Sequence, residues 1–274
     1  MRSQSERVED DMKAYQLPKG GAGIEALTVV ARPDPPNPAY RQVLVKVAAC
    51  SLNFRDLGIA RGSYRMPVKE NLIPLSDGAG EVVAVGPGVT RVKAGDRVAG
   101  CFFQRWVGGD PPPDVHLSAL GGGIDGVLAE YALLEEEGVV KFPPHLSMEQ
   151  GATLPCAAVT AWHAMMEHAK LTAGDIVLLQ GTGGVSIFAL QFARAMGIRA
   201  IVTSSSDEKL ARAEALGAAY GINYRTTPEW EKAAKEFTGG RGVDHVVEVG
   251  GAATLLLPFG AIRVGGKITM IGGL

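Results

Sequence analysis

The residues whose types and spacing best suit chemistry are those of Gly181-Thr182-Gly183-Gly184-Val185. A short apolar run, Ile176-Val177-Leu178-Leu179, comes immediately before them. It is brief and partly β-branched, so it predicts a buried parallel strand. After them Val185, Phe188, Ala189, Phe192 and Ala193 fall on one helical face, and Gly197 predicts the helix end. Strand, glycine turn and helix, in that order, offer backbone N–H groups and the positive end of a helix to a pyrophosphate. A Cβ on such a turn would block the approach. Gly181 permits the tight turn and Gly183 the close approach, while Ser186 stands where a third glycine is usual and is small enough for helix–strand packing. Taken alone, a glycine turn also suits other α/β proteins.

The next unit narrows the chemistry. Ala200-Ile201-Val202-Thr203 predicts a strand, Ser204 to Asp207 its end and a helix cap, and Lys209 to Leu216 a helix closed by Gly217. The distance from Gly184 to Ser204 is about the twenty residues that separate a phosphate turn from the ribose-reading position. An acid there would bind the ribose hydroxyls of NAD. Neutral Ser204, with Lys209 nearby and Tyr224-Arg225 ending the following strand region, favours the extra phosphate of NADP(H) over NAD(H). The alternative stays open: Lys209 and Arg225 as solvated charges, with Asp207 at the ribose.

The rest of the chain must position this turn. Its 274 residues leave room for two domains, and 46% hydrophobic with 20% charged residues fits a soluble globular protein. A net charge of −2 gives no electrostatic case for nucleic acid or an anionic membrane. Cys50, Cys101 and Cys156 are far apart with no CxxC, which excludes a disulfide framework and a four-cysteine zinc lobe. They are expected as buried small residues in a reducing cytoplasm. No run reaches the ~18 apolar residues of a membrane helix. The charged N-terminus lacks the apolar core of a secretory signal. Residues 1–11 are expected to form a flexible tail, with Met12 an alternative start.

Residues 12–150 read as mostly β, with strands over 12–17, 26–31, 43–49, 80–85, 97–100 and 127–134 punctuated by glycine and proline, Gly20-Gly21 among them. Residues 104–126, with Pro111-Pro112-Pro113 and Gly121-Gly122-Gly123, predict a long loop, either a lid or mobile. Ser147-Met148-Glu149-Gln150 predicts a capping box and 157–168 a helix. Over 151–274, β and α alternate, with strands near 176–180, 200–204, 219–222, 244–249 and 267–271, which predicts a doubly wound parallel sheet. Such a sheet usually has about six strands, and only about five are legible. The last would present an apolar edge, so a further C-terminal part is expected.

Together these stretches resemble the medium-chain dehydrogenase/reductase superfamily, on its zinc-free, quinone-oxidoreductase-like side. The matching motifs, in family order, are Ala49-Cys50-Ser51-Leu52-Asn53-Phe54-Arg55-Asp56, Pro74 to Val82, Gly95-Asp96-Arg97-Val98, Ala129-Glu130-Tyr131, Leu154 to Trp162, Gly181 to Val185 and Ile222-Asn223-Tyr224-Arg225. The resemblance implies an α/β chain with a GroES-like β domain over 12–150 and a Rossmann domain over 151–274. It also implies an active site in the cleft between them and a homodimer formed through the Rossmann sheet edge. Zinc-using members carry a cysteine where this chain has Asn53 and a histidine–glutamate pair where it has Ser76-Asp77; Cys156 alone matches a ligand position. One soft ligand cannot hold a catalytic zinc that needs three protein ligands, so no zinc is expected.

Without a metal, hydride transfer leaves an oxyanion or enolate that needs a donor. The resemblance offers Asn53 for a substrate carbonyl or the nicotinamide ribose, with a turn-capping amide as the alternative; Tyr64 as proton donor, with a loop aromatic packed on the cleft as the alternative; and Thr160 facing the nicotinamide. Asp56 is expected to cap a helix. His163 and His168 are expected in surface or packing roles, and His116 and His145 have no partner spacing. Arg55 and Arg105 are expected either to meet substrate or to be solvated. The expected function is an NADP(H)-dependent, zinc-independent oxidoreductase acting on a quinone, enone, aldehyde or alcohol. The alternative is a nucleotide binder with little turnover.

Overall fold

The computed structural model describes residues 11–18, 21 and 23–272. Of the expected tail, 1–10 lie outside the described residues, as do Gly20, Gly273 and Leu274. Asp11, grouped with the tail for its charge, instead pairs with Pro33 as the first residue of a strand. The chain divides into two compact units after Cys156. Among the described residues no helix is long and apolar enough to cross a membrane.

The first unit is β-rich. An antiparallel pair, β1 (Asp11–Gln16) and β2 (Thr28–Pro33), precedes β3 (Gln42–Ser51), the short helix α1 (Phe54–Ala60), β4 (Asp77–Val85), β5 (Arg97–Gly100), β6 (Tyr131–Glu135) and β7 (Val139–Lys141). The last five strands form one antiparallel sheet in the order β6-β3-β4-β5-β7. β7 has only three residues and escaped the sequence pattern. Two register shifts between β3 and β4, at Leu44/Val45 and Val47/Ala49, bend the sheet around a core of Val43, Val45, Val82, Val98, Leu120 and Leu134.

The expected loop over 104–126 is neither a free lid nor a uniform coil. It carries a 3-10 turn at Val115–Ser118, and Ser118, Ala119 and Leu120 are buried. Trp106 and Val107 remain exposed. Apolar Leu120 has a core to enter, and that burial holds the second half of the segment.

The capping box forms as expected: Gln150 N–H donates to Ser147 Oγ at 3.2 Å, and Ser147 N–H donates to Gln150 Oε1 at 2.9 Å. It opens α2 (Met148–Ala152). The following helix is less regular than its periodicity predicts. π-Helical stretches, Leu154–Ala158 and His163–His168, flank α3 (Val159–Trp162). Pro155 has no N–H for the α-helical ladder, which accounts for the first.

The second unit alternates β8 (Ile176–Gln180), α4 (Gly184–Ala195), β9 (Arg199–Ser204), α5 (Asp207–Ala215), β10 (Tyr220–Asn223), α6 (Trp230–Phe237), β11 (Val243–Glu248), α7 (Pro258–Ala261) and β12 (Ile262–Met270). Its sheet is parallel in the order β10-β9-β8-β11-β12. The chain winds outward from β8 in both directions, so strand order reverses between β8 and β11, the place where such sheets bind ligands. Both faces of β8 are covered. Val177 and Leu179 pack with Leu190 and Val202, while Ile176 and Leu178 pack with Trp230 and Val246. β12 is an edge strand, with Val264 98% and Met270 59% exposed.

One buried histidine gives this unit a pH dependence. His245 is fully buried in β11, with Nδ1 2.7 Å from the Lys267 carbonyl and Nε2 3.2 Å from Thr269 Oγ1. Burial, then nearby His168 and Lys267, push its pKa from 6.5 down to about 4. The native state therefore binds fewer protons than the unfolded state between those values, and stability falls as pH drops from 6.5 towards 4. The loss is on the order of 3 kcal/mol. Urea melts across that range are expected to show it, and a His245→Gln variant to show a flatter profile. An unchanged profile would rule His245 out as the cause.

Candidate functional site

The glycine turn joins β8 to α4. Gly181 has φ +73°, a left-handed conformation that a side chain would strain. Gly183 is different. Its φ of −79° and ψ of 178° suit any residue, yet a Cβ there would meet nothing within 4 Å. Its lack of a side chain serves open space beside the helix start, not the backbone. Gly183 is the N-cap of α4 and no side chain caps the helix, so the first-turn N–H groups are left for a ligand. Thr182 is half-buried, Val185 packs on the core, and the Cβ position of Gly184 lies 3.2 Å from Ala157. Ser186 is buried and donates to the Gln180 carbonyl at 2.7 Å, fastening the turn from below.

Two residues missed from the sequence frame this turn. Gln180 Oε1 accepts from Val249 N–H at 3.2 Å. Glu248 is fully buried and accepts from Gly250 N–H at 2.9 Å, Gly251 N–H at 3.0 Å and the Thr254 hydroxyl at 2.7 Å. They hold the segment after β11 at the strand-order reversal. The available signal was a polar residue ending each apolar strand.

Ser204 and Tyr224, two of the residues expected to read the ribose, meet at the ends of β9 and β10. Tyr224 N–H donates to the Ser204 carbonyl at 3.0 Å, and Gly181 N–H donates to Thr203 Oγ1 at 3.3 Å, linking this end to the glycine turn. Ser204 itself is buried, and its hydroxyl accepts from Ser206 N–H at 3.3 Å. The half-buried Ser205 and Ser206 are the more accessible hydroxyls. Lys209, Tyr224 and Arg225 are exposed, and Asp207 accepts from Asn223 Nδ2 at 2.7 Å.

In the first unit the candidates gather around α1. Asn53 is its N-cap, and Asp56 Oδ2 accepts from Asn53 N–H at 2.7 Å, the capping role expected of Asp56. Asn53 Nδ2 and Asp56 Oδ1 are buried without partners. Burial, opposed by the Asn53 N–H and by Arg55, pushes the Asp56 carboxyl up to about 6. Asp77 is fully buried; it accepts from Ser76 Oγ at 2.8 Å and from Cys156 N–H at 3.1 Å, a donor in the π-helical stretch. Burial raises its pKa too. Tyr64 is half-buried against Leu17, Ile59 and Leu72. Thr160 lies on α3 in the second unit, half-buried. His145, His163 and Arg105 are exposed; His168 is exposed too and bonds to Thr269 at 2.7 Å.

Residues 39–144 match the family model described as alcohol dehydrogenase GroES-like domain, and residues 184–274 match the one described as zinc-binding dehydrogenase. A zinc-type alcohol dehydrogenase-like protein of Schizosaccharomyces pombe is 48% identical over 234 residues, 84% of this chain and 67% of that protein. The chain belongs to the medium-chain dehydrogenase/reductase superfamily. It is an NAD(P)-dependent oxidoreductase. The human quinone oxidoreductase is 31% identical over 262 residues, 95% of this chain and 73% of that protein. A crystal structure of an NAD-dependent alcohol dehydrogenase superposes with a TM-score of 0.85 at 33% identity, covering 95% of this chain and 77% of the other.

Within this superfamily the zinc question falls on Asn53, Ser76, Asp77 and Cys156. None of them lies in the 184–274 stretch that matches the zinc-binding dehydrogenase description. Both Asp77 oxygens already accept hydrogen bonds. Burial, then Asp77 and Asp56, push the Cys156 thiol up to about 12. An amide, a hydroxyl and a carboxylate already holding two hydrogen bonds, beside a single thiol, do not supply the three protein ligands of a catalytic zinc. The other thiols behave alike: partial burial and Asp77 push Cys50 up to about 11, and partial burial raises Cys101, all three cysteines being half-buried and not fully buried as expected. At pH 8 all three stay protonated, so thiol reagents are expected to label the native protein slowly and the denatured protein fully. Rapid native labelling of one equivalent would contradict this.

Proposed function

We propose that this oxidoreductase is NADP(H)-dependent and zinc-independent, moving a hydride to or from a quinone, enone, aldehyde or alcohol. The observation that carries the reading is the open cradle at Gly183, where the backbone would accept any residue but a side chain would fill the space. The bound nicotinamide supplies or takes the hydride. The chain's own groups do the rest. The α4 N-terminus holds the pyrophosphate. Lys209 and Tyr224, with hydroxyls of the 204–206 turn, hold the 2′-phosphate, with no acid at the Ser204 position to repel it. Tyr64 gives its proton to the substrate oxygen, Asn53 offers its amide to a substrate carbonyl or the nicotinamide ribose, and Thr160 faces the nicotinamide. The donor set at Asn53, Ser76, Asp77 and Cys156 supports chemistry without zinc.

A fluorescence titration with NADPH and NADH, followed by quinone-dependent NADPH oxidation in chelator-treated buffer, tests the reading. NADPH is expected to bind about tenfold more tightly than NADH, as one charge-assisted hydrogen bond of about 1.5 kcal/mol would give, and chelation is expected to change nothing. Tighter NADH binding would overturn the cofactor preference and place Asp207 at the ribose. Saturable binding with no turnover of quinones, enones or aldehydes would favour a nucleotide binder instead.

A further inference from the structure

Arg55 departs from the solvated role that a charged residue beside a loop invites, because only 5% of its surface is exposed. Its guanidinium carbon lies 4.9 Å from the Tyr64 ring centroid and 4.5 Å from that of Phe102. Nη1 donates to the Leu120 carbonyl at 3.0 Å. Nε and Nη2 are buried without partners. Gly122 closes one side, since a Cβ there would stand 2.2 Å from Nη2. Arg55 also faces the carboxyls of Asp56 and Asp77 and opposes their protonation.

A guanidinium does not escape burial by losing its proton. Placing one here, with two nitrogens unpaired, costs more than an apolar side chain of similar size would. Stability alone therefore does not explain it. The groups it touches do. One is Tyr64, the proton donor of the reading above. The others, Phe102 and Leu120, stand near the two ends of the 101–126 segment, which is the 104–126 stretch with the three residues before it.

We propose that Arg55 is a positioning residue for the reaction, its guanidinium clamped between Tyr64 and Phe102 so that the phenol is set relative to the 101–126 segment and aligned on the substrate oxygen. The proposal rests on Tyr64 as proton donor. The proton leaves the Tyr64 oxygen, a new O–H bond forms on the substrate oxygen, and the phenolate is reprotonated from solvent. A flat guanidinium can lie between two rings and still aim an N–H at Leu120. A lysine ammonium keeps the charge but has no plane to be clamped.

A double-mutant cycle tests it, with NADPH and 1,4-naphthoquinone as substrates and a thermal melt for every variant. Arg55→Lys is expected to lower kcat about tenfold to thirtyfold with KM nearly constant, because the alignment matters only in the transition state. In a Tyr64→Phe background the same change is expected to cost nothing further. Multiplicative losses, or a raised KM at unchanged kcat, would overturn the proposal. Full activity in Tyr64→Phe would overturn the assignment of Tyr64 and this inference with it. If Arg55→Lys does not fold, Phe102→Leu replaces it in the cycle. That variant opens the clamp and keeps the charge, and it is expected to lower kcat only where Tyr64 is present; unchanged kcat, or a loss that persists without the phenol, would overturn the proposal.

Discussion

Replacing Tyr64 by phenylalanine is expected to lower kcat by about a hundredfold or more, the usual share of a general acid, with KM and melting temperature close to wild type. The substitution is informative because the ring and the hydroxyl have separable jobs. The ring packs with Leu17, Ile59 and Leu72 and lies on the Arg55 guanidinium. Phenylalanine keeps those contacts and loses only the proton-bearing oxygen. A lost transition-state interaction lowers kcat and kcat/KM together, whereas lost ground-state binding raises KM. Stopped-flow or steady-state NADPH oxidation separates the two. Wild-type turnover in this variant would remove Tyr64 from the mechanism.

The second large effect concerns binding. Gly183→Val is expected to weaken NADPH binding about a hundredfold, the value of two charge-assisted hydrogen bonds to an anion at about 1.5 kcal/mol each, with only the small loss of melting temperature that valine causes at an N-cap. The backbone at Gly183 lies in an ordinary extended region, and the added Cβ would touch no protein atom within 4 Å. The valine would occupy only the space beside the α4 N-terminus. Gly181 makes the contrast: at φ +73° a side chain strains the turn itself, so Gly181→Val is expected to lose stability as well as binding. Unchanged NADPH affinity in Gly183→Val would show that the pyrophosphate does not sit on this turn. A large drop in melting temperature would show that the open space is not open in solution.

Much of the second unit was legible because its signals are local. The glycine turn, the apolar alternation of β8 and the Ser206 cap of α5 each depend on residues within a few positions of one another. The capping box at Ser147 and Gln150 is equally local. The first unit was legible in outline, but three-residue β7 was lost because so short a strand has no period to read. The site was legible in its backbone features and less so in its side chains. Ser204 stands at the spacing of the ribose position, yet the sheet turns its hydroxyl inward to Ser206.

The sequence alone determined the fold class and the order of strand, glycine turn and helix over 176–197, because each follows from residue type and short-range order. Tertiary structure decided what depends on distant residues. Arg55 reaches Leu120 across 65 positions, and Cys156 N–H reaches Asp77 across 79. Arg55 looks like a surface charge until two aromatic rings close over it, and the 104–126 segment looks like a lid until Leu120 enters the core. The physical reason is common to both. Burial is a property of what surrounds a side chain, and for these residues the surroundings are assembled only when segments far apart in the chain fold together.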